Sequence, residues 1–357
     1  MKNGATFIIG GQWGDEAKGL ISSYITFRDK AKLVCKGGIG PNAEHGIFTS
    51  DNSYLKVNQL PLGWLFNPDT QIRIGSGVAL DTIKFFYECE KYKLFDRVKV
   101  DYRCPILTQE HIDAERNSKH INSISSTFSG SGFCRADFVN RKAKQARDIP
   151  ELKNYITDVG LEINEVAKDN IIVIESSQGT FLSLAISSDY PNTTSDNVTT
   201  CAVADDVLLN WRYIKDVILA VKTMPTREGI GSMGSRELSL DEIKDKGLVE
   251  ISSIGGVIRR KSESINFELL KYAVMINGAT QIALTFCEHF DPEIKNIKNI
   301  ADISCKLWEL IHKIEDTVNL PVTILNTGKH YSSIVDLTGE RINWKEIENN
   351  LVKYREI

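Results

Sequence analysis

The chain has 357 residues, 42% of them hydrophobic and 25% charged, with a net charge of −4 at pH 7. That balance fits a globular protein with a sizeable core, in one large domain or two smaller ones. It excludes a general affinity for nucleic acid or anionic membranes, and no apolar run approaches the ~20 residues that span a bilayer.

The start, Met1-Lys2-Asn3-Gly4, carries no signal-peptide pattern and points to a cytoplasmic protein. Short apolar runs then alternate with helical patterns. Strands are expected at 6–9, 32–35, 71–74, 98–100, 170–174, 217–221, 282–286 and 321–325. Helices are expected at 18–27, 81–92, 149–167, 267–277 and 300–317. Apolar strands alternating with helices predict an α/β fold, with a mainly parallel central sheet covered by helices on both faces. No repeat or long linker divides the chain, so residues 1–357 read as a single domain. The segments 117–131 and 187–200 read as loops rich in small hydroxyl residues, which suits wrapping an anion. Seven scattered cysteines without a C-x-x-C pair read as reduced thiols rather than a disulfide framework or zinc site.

The densest signal follows the first strand: Gly10-Gly11-Gln12-Trp13-Gly14-Asp15-Glu16-Ala17-Lys18-Gly19. A glycine-rich turn between strand and helix brings backbone N–H groups onto phosphate oxygens, and the helix N-terminus adds partial positive charge. Lys18 supplies a point charge. The spacing departs from the P-loop pattern G-x-x-x-x-G-K-[ST], because Ala17 and Gly19 stand where Gly and Ser/Thr belong. An ordinary tight turn with an exposed lysine is the plainer alternative. Asp15 and Glu16 would repel a phosphate unless they hold a cation or move a proton.

This string resembles the N-terminal signature of the adenylosuccinate synthetase family, GQWGDEGKGK. Similarity continues through Asn42-Ala43-Glu44-His45, Gln59-Leu60-Pro61-Leu62-Gly63, Arg141-Lys142-Ala143-Lys144-Gln145-Ala146, Glu175-Ser176-Ser177-Gln178-Gly179, Pro225-Thr226-Arg227 and Thr327-Gly328. The compact length resembles the short, archaeal-type branch. The resemblance implies that family's P-loop-like fold, a homodimer, and a reaction in which GTP phosphorylates the 6-oxygen of IMP and aspartate then displaces the phosphate.

By motif position, the resemblance implies Asp15 as catalytic base and Mg2+ contact, His45 as catalytic acid and Lys18 as a phosphate contact. Gly14, Glu16, Ala17, Lys18, Gly19, Glu288, Thr327 and Gly328 fall where the family binds the nucleoside triphosphate. Asn42, Thr127, Gln178 and Thr194 fall on the purine monophosphate, with Arg141 reaching it from a second subunit. Gly256, Arg259 and Arg260 fall on the amino-acid substrate, and Glu44 on the metal.

Several positions depart from the family pattern. Phe128 and Ser129 replace a glycine and an arginine, and Glu44 replaces a glycine. Val257 and Ile258 replace arginines of the aspartate-gripping loop, with Arg236 as a candidate substitute. Thr285-Phe286-Cys287-Glu288 stands for the guanine-reading TKLD. These departures keep open dGMP or GMP as the monophosphate, ATP as the donor, another amine donor, and a non-catalytic nucleotide-binding protein.

Overall fold

The computed structural model describes residues 3–124, 126–252, 256–340 and 342–354. Its centre is a ten-stranded sheet. In chain order the strands are β1 (Gly4–Gly10), β2 (Leu33–Lys36), β3 (Gln71–Ile74), β4 (Val98–Asp101), β5 (Ile156–Thr157), β6 (Ile171–Glu175), β7 (Ile214–Lys222), β8 (Gln281–Thr285), β9 (Val322–Asn326) and β10 (Ile334–Asp336). Their spatial order is β10-β9-β8-β7-β1-β6-β2-β3-β4-β5. All neighbours pair in parallel except β9 with β10.

Why this sheet forms is readable in β1. All of its residues are buried, and its side chains alternate between two cores. Ile8 packs into the core that holds Ile21, Val34 and Val173. Phe7 and Ile9 pack into the opposite one with Ile174, Leu219 and Leu284. A strand buried on both faces needs apolar residues at every position, which is why the expected strands appear as continuous runs rather than alternating ones.

All eight expected strands occur in this sheet, with ends shifted by a few residues. Expected helix 149–167 is the main difference. Pro150–Leu152 is a 3-10 turn, Ile156–Thr157 joins the sheet edge as β5, and the helix is Val159–Asp169. Asp158 starts it by accepting the Leu161 N–H, so the helix cannot extend back past that cap. Likewise Ser304 caps a helix at Cys305–Val318, shortening the expected 300–317. The expected loop 117–131 contains the short helix Lys119–Asn122 and the start of Ser131–Val139.

Because β1 pairs in parallel with β6 and β7, their C-terminal ends lie on one edge, where chain connections open a crevice. No helix among the described residues is long and apolar enough to cross a membrane.

Candidate active site

The crevice is a cavity of about 2020 Å³. A pocket for one small molecule measures ~300–1,000 Å³, so this one has room for several ligands at once. Its walls include Trp13 to Leu20, Asn42 to Phe48, Ser126 to Ser129, Gln178, Thr194, Arg259, Phe286, Glu288 and Gly328.

The loop after β1 is shaped by Glu16. Its side chain folds inward and is fully buried, accepting the N–H groups of Gln12 (3.1 Å) and Gly14 (2.9 Å). The Lys18 ammonium bonds its other oxygen at 2.8 Å. The Glu16 carboxylate thus braces the loop from beneath, and its backbone remains available at the expected triphosphate position. Gly10 and Gly179 make this possible. A Cβ on Gly179 would stand 2.5 Å from the Gln12 carbonyl oxygen and 2.6 Å from Glu16 Oε1. Ala17 has φ 55° at the helix boundary, a left-handed conformation that favours glycine. Gly19 lets the helix Lys18–Arg28 approach His45, whose Cβ would be 2.9 Å from an added Cβ.

Asp15 also has positive φ, at 63°. It turns its part-exposed carboxylate into the cavity, where Arg259 contacts it. The same guanidinium nitrogen lies 3.0 Å from Glu228. Burial pushes Arg259 down to about 10.

His45 stands across the cavity wall at the start of the strand His45–Phe48. Its Nδ1 contacts Oε1 of Glu175, a fully buried carboxylate that also accepts the N–H groups of Leu62 (2.9 Å) and Gly63 (3.0 Å). Burial alone would raise Glu175, but the His45 contact and these donors outweigh it, and the carboxyl is held below its ordinary range. No role for Glu175 follows from the motifs. The signal available was a carboxylate closing an otherwise apolar strand.

Asn42, Thr127, Gln178 and Thr194, the residues expected on the monophosphate, all line the wall. Asn42 Oδ1 and Gln178 Oε1 are buried without a partner, and Gln178 is held at φ 51°. Such atoms are costly unless a ligand satisfies them. Behind Thr127, the buried Glu115 accepts the Ser126 hydroxyl at 2.7 Å and contacts the Gly130 N–H. Thr127 donates to Ser129, which lies 2.9 Å from Ser131. Phe128 lines the cavity with φ 51°, at the position where the family has glycine. Arg141 is exposed and does not line this cavity.

A further part of the wall, where the base of the triphosphate is expected, holds Phe286, Glu288, His289, Asn326 and Gly328. Glu288 Oε2 is buried without a partner, and burial raises its carboxyl to about 7. Next to it, Glu250 pairs with Lys222 and Lys261, both fully buried. The Lys222 ammonium lies 3.9 Å from the Phe286 ring centre. Thr327 does not face the cavity. Its hydroxyl donates to the Ile297 carbonyl at 2.8 Å, a structural duty.

Two arginines expected at the amino-acid site have partners within the protein. Arg260 grips Glu237 and the Gly229 carbonyl, both at 2.6 Å, outside the cavity wall. Arg236 is committed to Glu263 (2.7 Å) and Glu242 (3.0 Å), so it does not replace the lost arginines. Glu44 lines the cavity, and its carboxylate is engaged by Lys56 (2.7 Å) and Tyr54 (3.1 Å); the group expected at the metal is its backbone carbonyl, which that pairing leaves untouched. Its φ is not positive, so glycine is not demanded there. Gly256 sits at φ 62°, and among the described residues no atom lies within 4 Å of a Cβ added there; it is not among the residues lining the cavity. Ser125, Ile254 and Gly255 lie outside the described residues.

Among the described residues no group of three or more His, Cys, Asp or Glu side chains converges on a metal. Mg2+ does not require one. It keeps several waters and binds one or two carboxylates plus substrate phosphates. Asp15, a carboxylate inside the cavity beside the phosphate-cradling loop, fits that pattern.

A family model described as adenylosuccinate synthetase matches residues 7–154 and 146–292. The adenylosuccinate synthetase of Archaeoglobus fulgidus is 38% identical over 341 residues, covering 95% of this chain and all of that protein. That of Methanocaldococcus jannaschii is 39% identical over 340 residues, covering 94% and 97%. Among solved structures, fully ligated adenylosuccinate synthetase from Plasmodium falciparum aligns with a TM-score of 0.83 at 19% identity, covering 94% of this chain and 99% of that one. The cyanophage S-2L succinoaminodeoxyadenylate synthetase, bound to dGMP and to dATP as energy donor, aligns at 0.78 and 22%, covering 99% and 100%. Both structural likenesses concern the fold.

Proposed function

This chain belongs to the adenylosuccinate synthetase family and is a C–N bond-forming ligase of that type, and from that premise we propose how its residues divide the reaction. GTP phosphorylates the 6-oxygen of IMP, and L-aspartate then displaces the phosphate. An amide-like oxygen is a poor leaving group, and phosphorylation makes it a good one.

Asp15 removes the purine N1 proton, so that the 6-oxygen gains the electron density to attack the γ-phosphorus. Lys18, braced by Glu16, offers its remaining N–H donors to the triphosphate oxygens. His45, oriented through Nδ1 by Glu175, presents Nε2 to the phosphoryl oxygen and donates a proton there. Asn42, Thr127, Gln178 and Thr194 hold the monophosphate. Arg141 completes that pocket from a second subunit, in a cytoplasmic homodimer of single-domain chains. Mg2+ at Asp15, when bound, neutralises charge on the transferred phosphoryl group. One observation carries this reading: Asp15, His45, Asn42 and Gln178 line one cavity above the loop that ends at Lys18.

Glu288 favours a second donor. Raised to about 7 by burial, it holds a proton over part of the neutral range and offers one O–H donor beside one acceptor oxygen. That pattern pairs with adenine, so ATP is the alternative triphosphate.

The test incubates the protein with Mg2+, GTP or ATP, aspartate, and each of IMP, dGMP and GMP, followed by adduct mass. An aspartyl adduct of IMP is expected. An adduct of dGMP alone would replace the substrate, and monophosphate binding without any phosphate release would support a non-catalytic binder. Asp15→Ala should abolish turnover and leave monophosphate affinity nearly unchanged. A fully active Asp15→Ala enzyme would refute the base assignment.

A further inference from the structure

An arginine is buried only where its charge and its donors are met. Arg227, in the segment Pro225-Thr226-Arg227, is 1% exposed. Its fork reaches two loops that are far apart in the chain. Nη1 contacts the Asp189 carboxylate and donates to the Ser232 carbonyl at 2.7 Å, and Nη2 donates to the Asn192 carbonyl at 2.8 Å. Asp189 closes the ring by accepting the Ser232 N–H at 3.1 Å. Gly231, at φ 125°, passes directly over the guanidinium, and a Cβ there would overlap its central carbon.

Both loops belong to the cavity wall. Tyr190 to Ser195 line it and include Thr194, one of the residues expected on the monophosphate, and Glu228 to Ile230 line it as well. Arg227 also pairs opposite Arg260 in the antiparallel ribbon of Thr226–Arg227 with Arg260–Lys261. The residues just beyond that pair, Glu228 and Arg259, therefore emerge side by side. Arg259 Nη1 lies 3.0 Å from the Glu228 carboxylate and contacts Asp15. Arg227 is thus the point at which the loop carrying Thr194 is fastened to the ribbon carrying Arg259. The residues expected on the triphosphate sit elsewhere: Gly14 to Gly19 follow β1, and Glu288 follows β8.

Resting on the ligase reading above, we propose that Arg227 is a positioning residue of the reaction. It fixes the monophosphate loop against the amine-donor side of the cavity, where Arg259 is expected on the amino acid, so that the purine carbon meets the attacking amine. Arg227 itself touches neither substrate. Such an attack depends on the two reacting atoms being held at close range, and a displacement of ~1 Å costs about 100-fold in rate. Lysine is no substitute, because a compact ammonium lacks the planar fork that grips both loops at once.

The experiment uses the full chain with Mg2+, GTP, IMP and L-aspartate. It measures kcat, the KM of each substrate and thermal unfolding for Arg227→Lys and Asp189→Asn. The second variant changes a part-exposed side chain and keeps an oxygen for the Ser232 N–H, so it tests the same link where Arg227→Lys fails to fold. Arg227→Lys should lower kcat about 100-fold. Both variants should raise KM for IMP and for aspartate, roughly 10-fold in Asp189→Asn, while KM for GTP stays unchanged. An equal rise in KM for all substrates, or lower thermal stability with unchanged kinetics, overturns the proposal: Arg227 then serves the fold alone, and the ligase reading stands. Absence of an aspartyl adduct from the unsubstituted enzyme overturns the ligase reading and this proposal with it.

Discussion

Glu175 and His45 come from distant parts of the chain and meet through a buried carboxylate–imidazole contact. Glu175 Oε1 lies against His45 Nδ1, while the Leu62 and Gly63 N–H groups hold the same carboxylate. The Nδ1 proton is thereby fixed and Nε2 is left for the cavity. Burial lowers the proton affinity of the ring, and Glu175 opposes that effect.

It follows that Glu175→Gln removes the anion that helps the imidazole hold its second proton. A catalytic acid works only while protonated, so activity is lost as pH rises through its pKa. The alkaline limb of the rate profile should move to lower pH in Glu175→Gln. His45→Ala should reduce kcat by ~10²–10⁴-fold with monophosphate affinity retained. A Glu175→Gln profile that is lowered uniformly, with no displacement of the limb, would sink the positioning role.

Glu16 gives a prediction about stability. Glu16→Ala leaves a buried ammonium at Lys18 and two loop N–H groups without their acceptor. Removing one partner of such a pair costs ~3–5 kcal/mol. Urea unfolding should show a loss of that size, and Glu16→Gln a smaller one, since the amide oxygen still accepts a loop N–H. Unchanged stability in Glu16→Ala would mean that the carboxylate does not brace the loop.

Asn42 and Gln178 test the proposed monophosphate pocket. Both line the cavity, and their side-chain oxygens are buried without a partner among the described residues. Gln178→Ala should weaken monophosphate binding by roughly 10-fold and leave GTP affinity unchanged in calorimetric titrations. Equal weakening of both would place Gln178 in loop architecture instead.

Asp206 sets a pH dependence of folding. It is buried near the end of the helix Thr200–Asp206, where it accepts the Gly38 N–H at 2.9 Å. Burial, with help from Asp196, raises its carboxyl to about 7. The unfolded carboxyl titrates near ~3.9, so the folded state binds the extra proton between about pH 4 and about 7. Its contribution to stability is complete below about pH 4 and is lost as pH rises through about 7. Asp206→Asn keeps an acceptor for Gly38 and should flatten this decline, leaving the variant more stable than the parent at pH 8. Thermal unfolding from pH 4 to 8 measures it. Parallel curves for the two proteins would exclude Asp206 as the source.

Much of the site was legible because its residues sit in short motifs. Asp15, Lys18, Asn42, His45, Gln178 and Arg259 all face the cavity as expected. What the motifs do not state is pairing: the side chains of Glu16, Glu44, Thr327, Arg236 and Arg260 carry groups suited to ligands, and each has a partner within the protein. Lys56 is 12 residues from Glu44 and Glu263 is 27 from Arg236, separations over which a sequence does not state who meets whom.

By itself the sequence determined the sheet. Short continuous apolar runs bounded by turn residues, alternating with helical patterns, fit strands covered on both faces, and in space a Cβ at Gly10 or Gly179 would block a close backbone approach. The tertiary structure decided which polar side chains remain free. Burial forces every polar group either to pair or to await a ligand, and that pairing is settled in space, across the sheet edge. It turned Glu16 into a brace, gave His45 its carboxylate, and set Arg259 against Asp15 and Glu228.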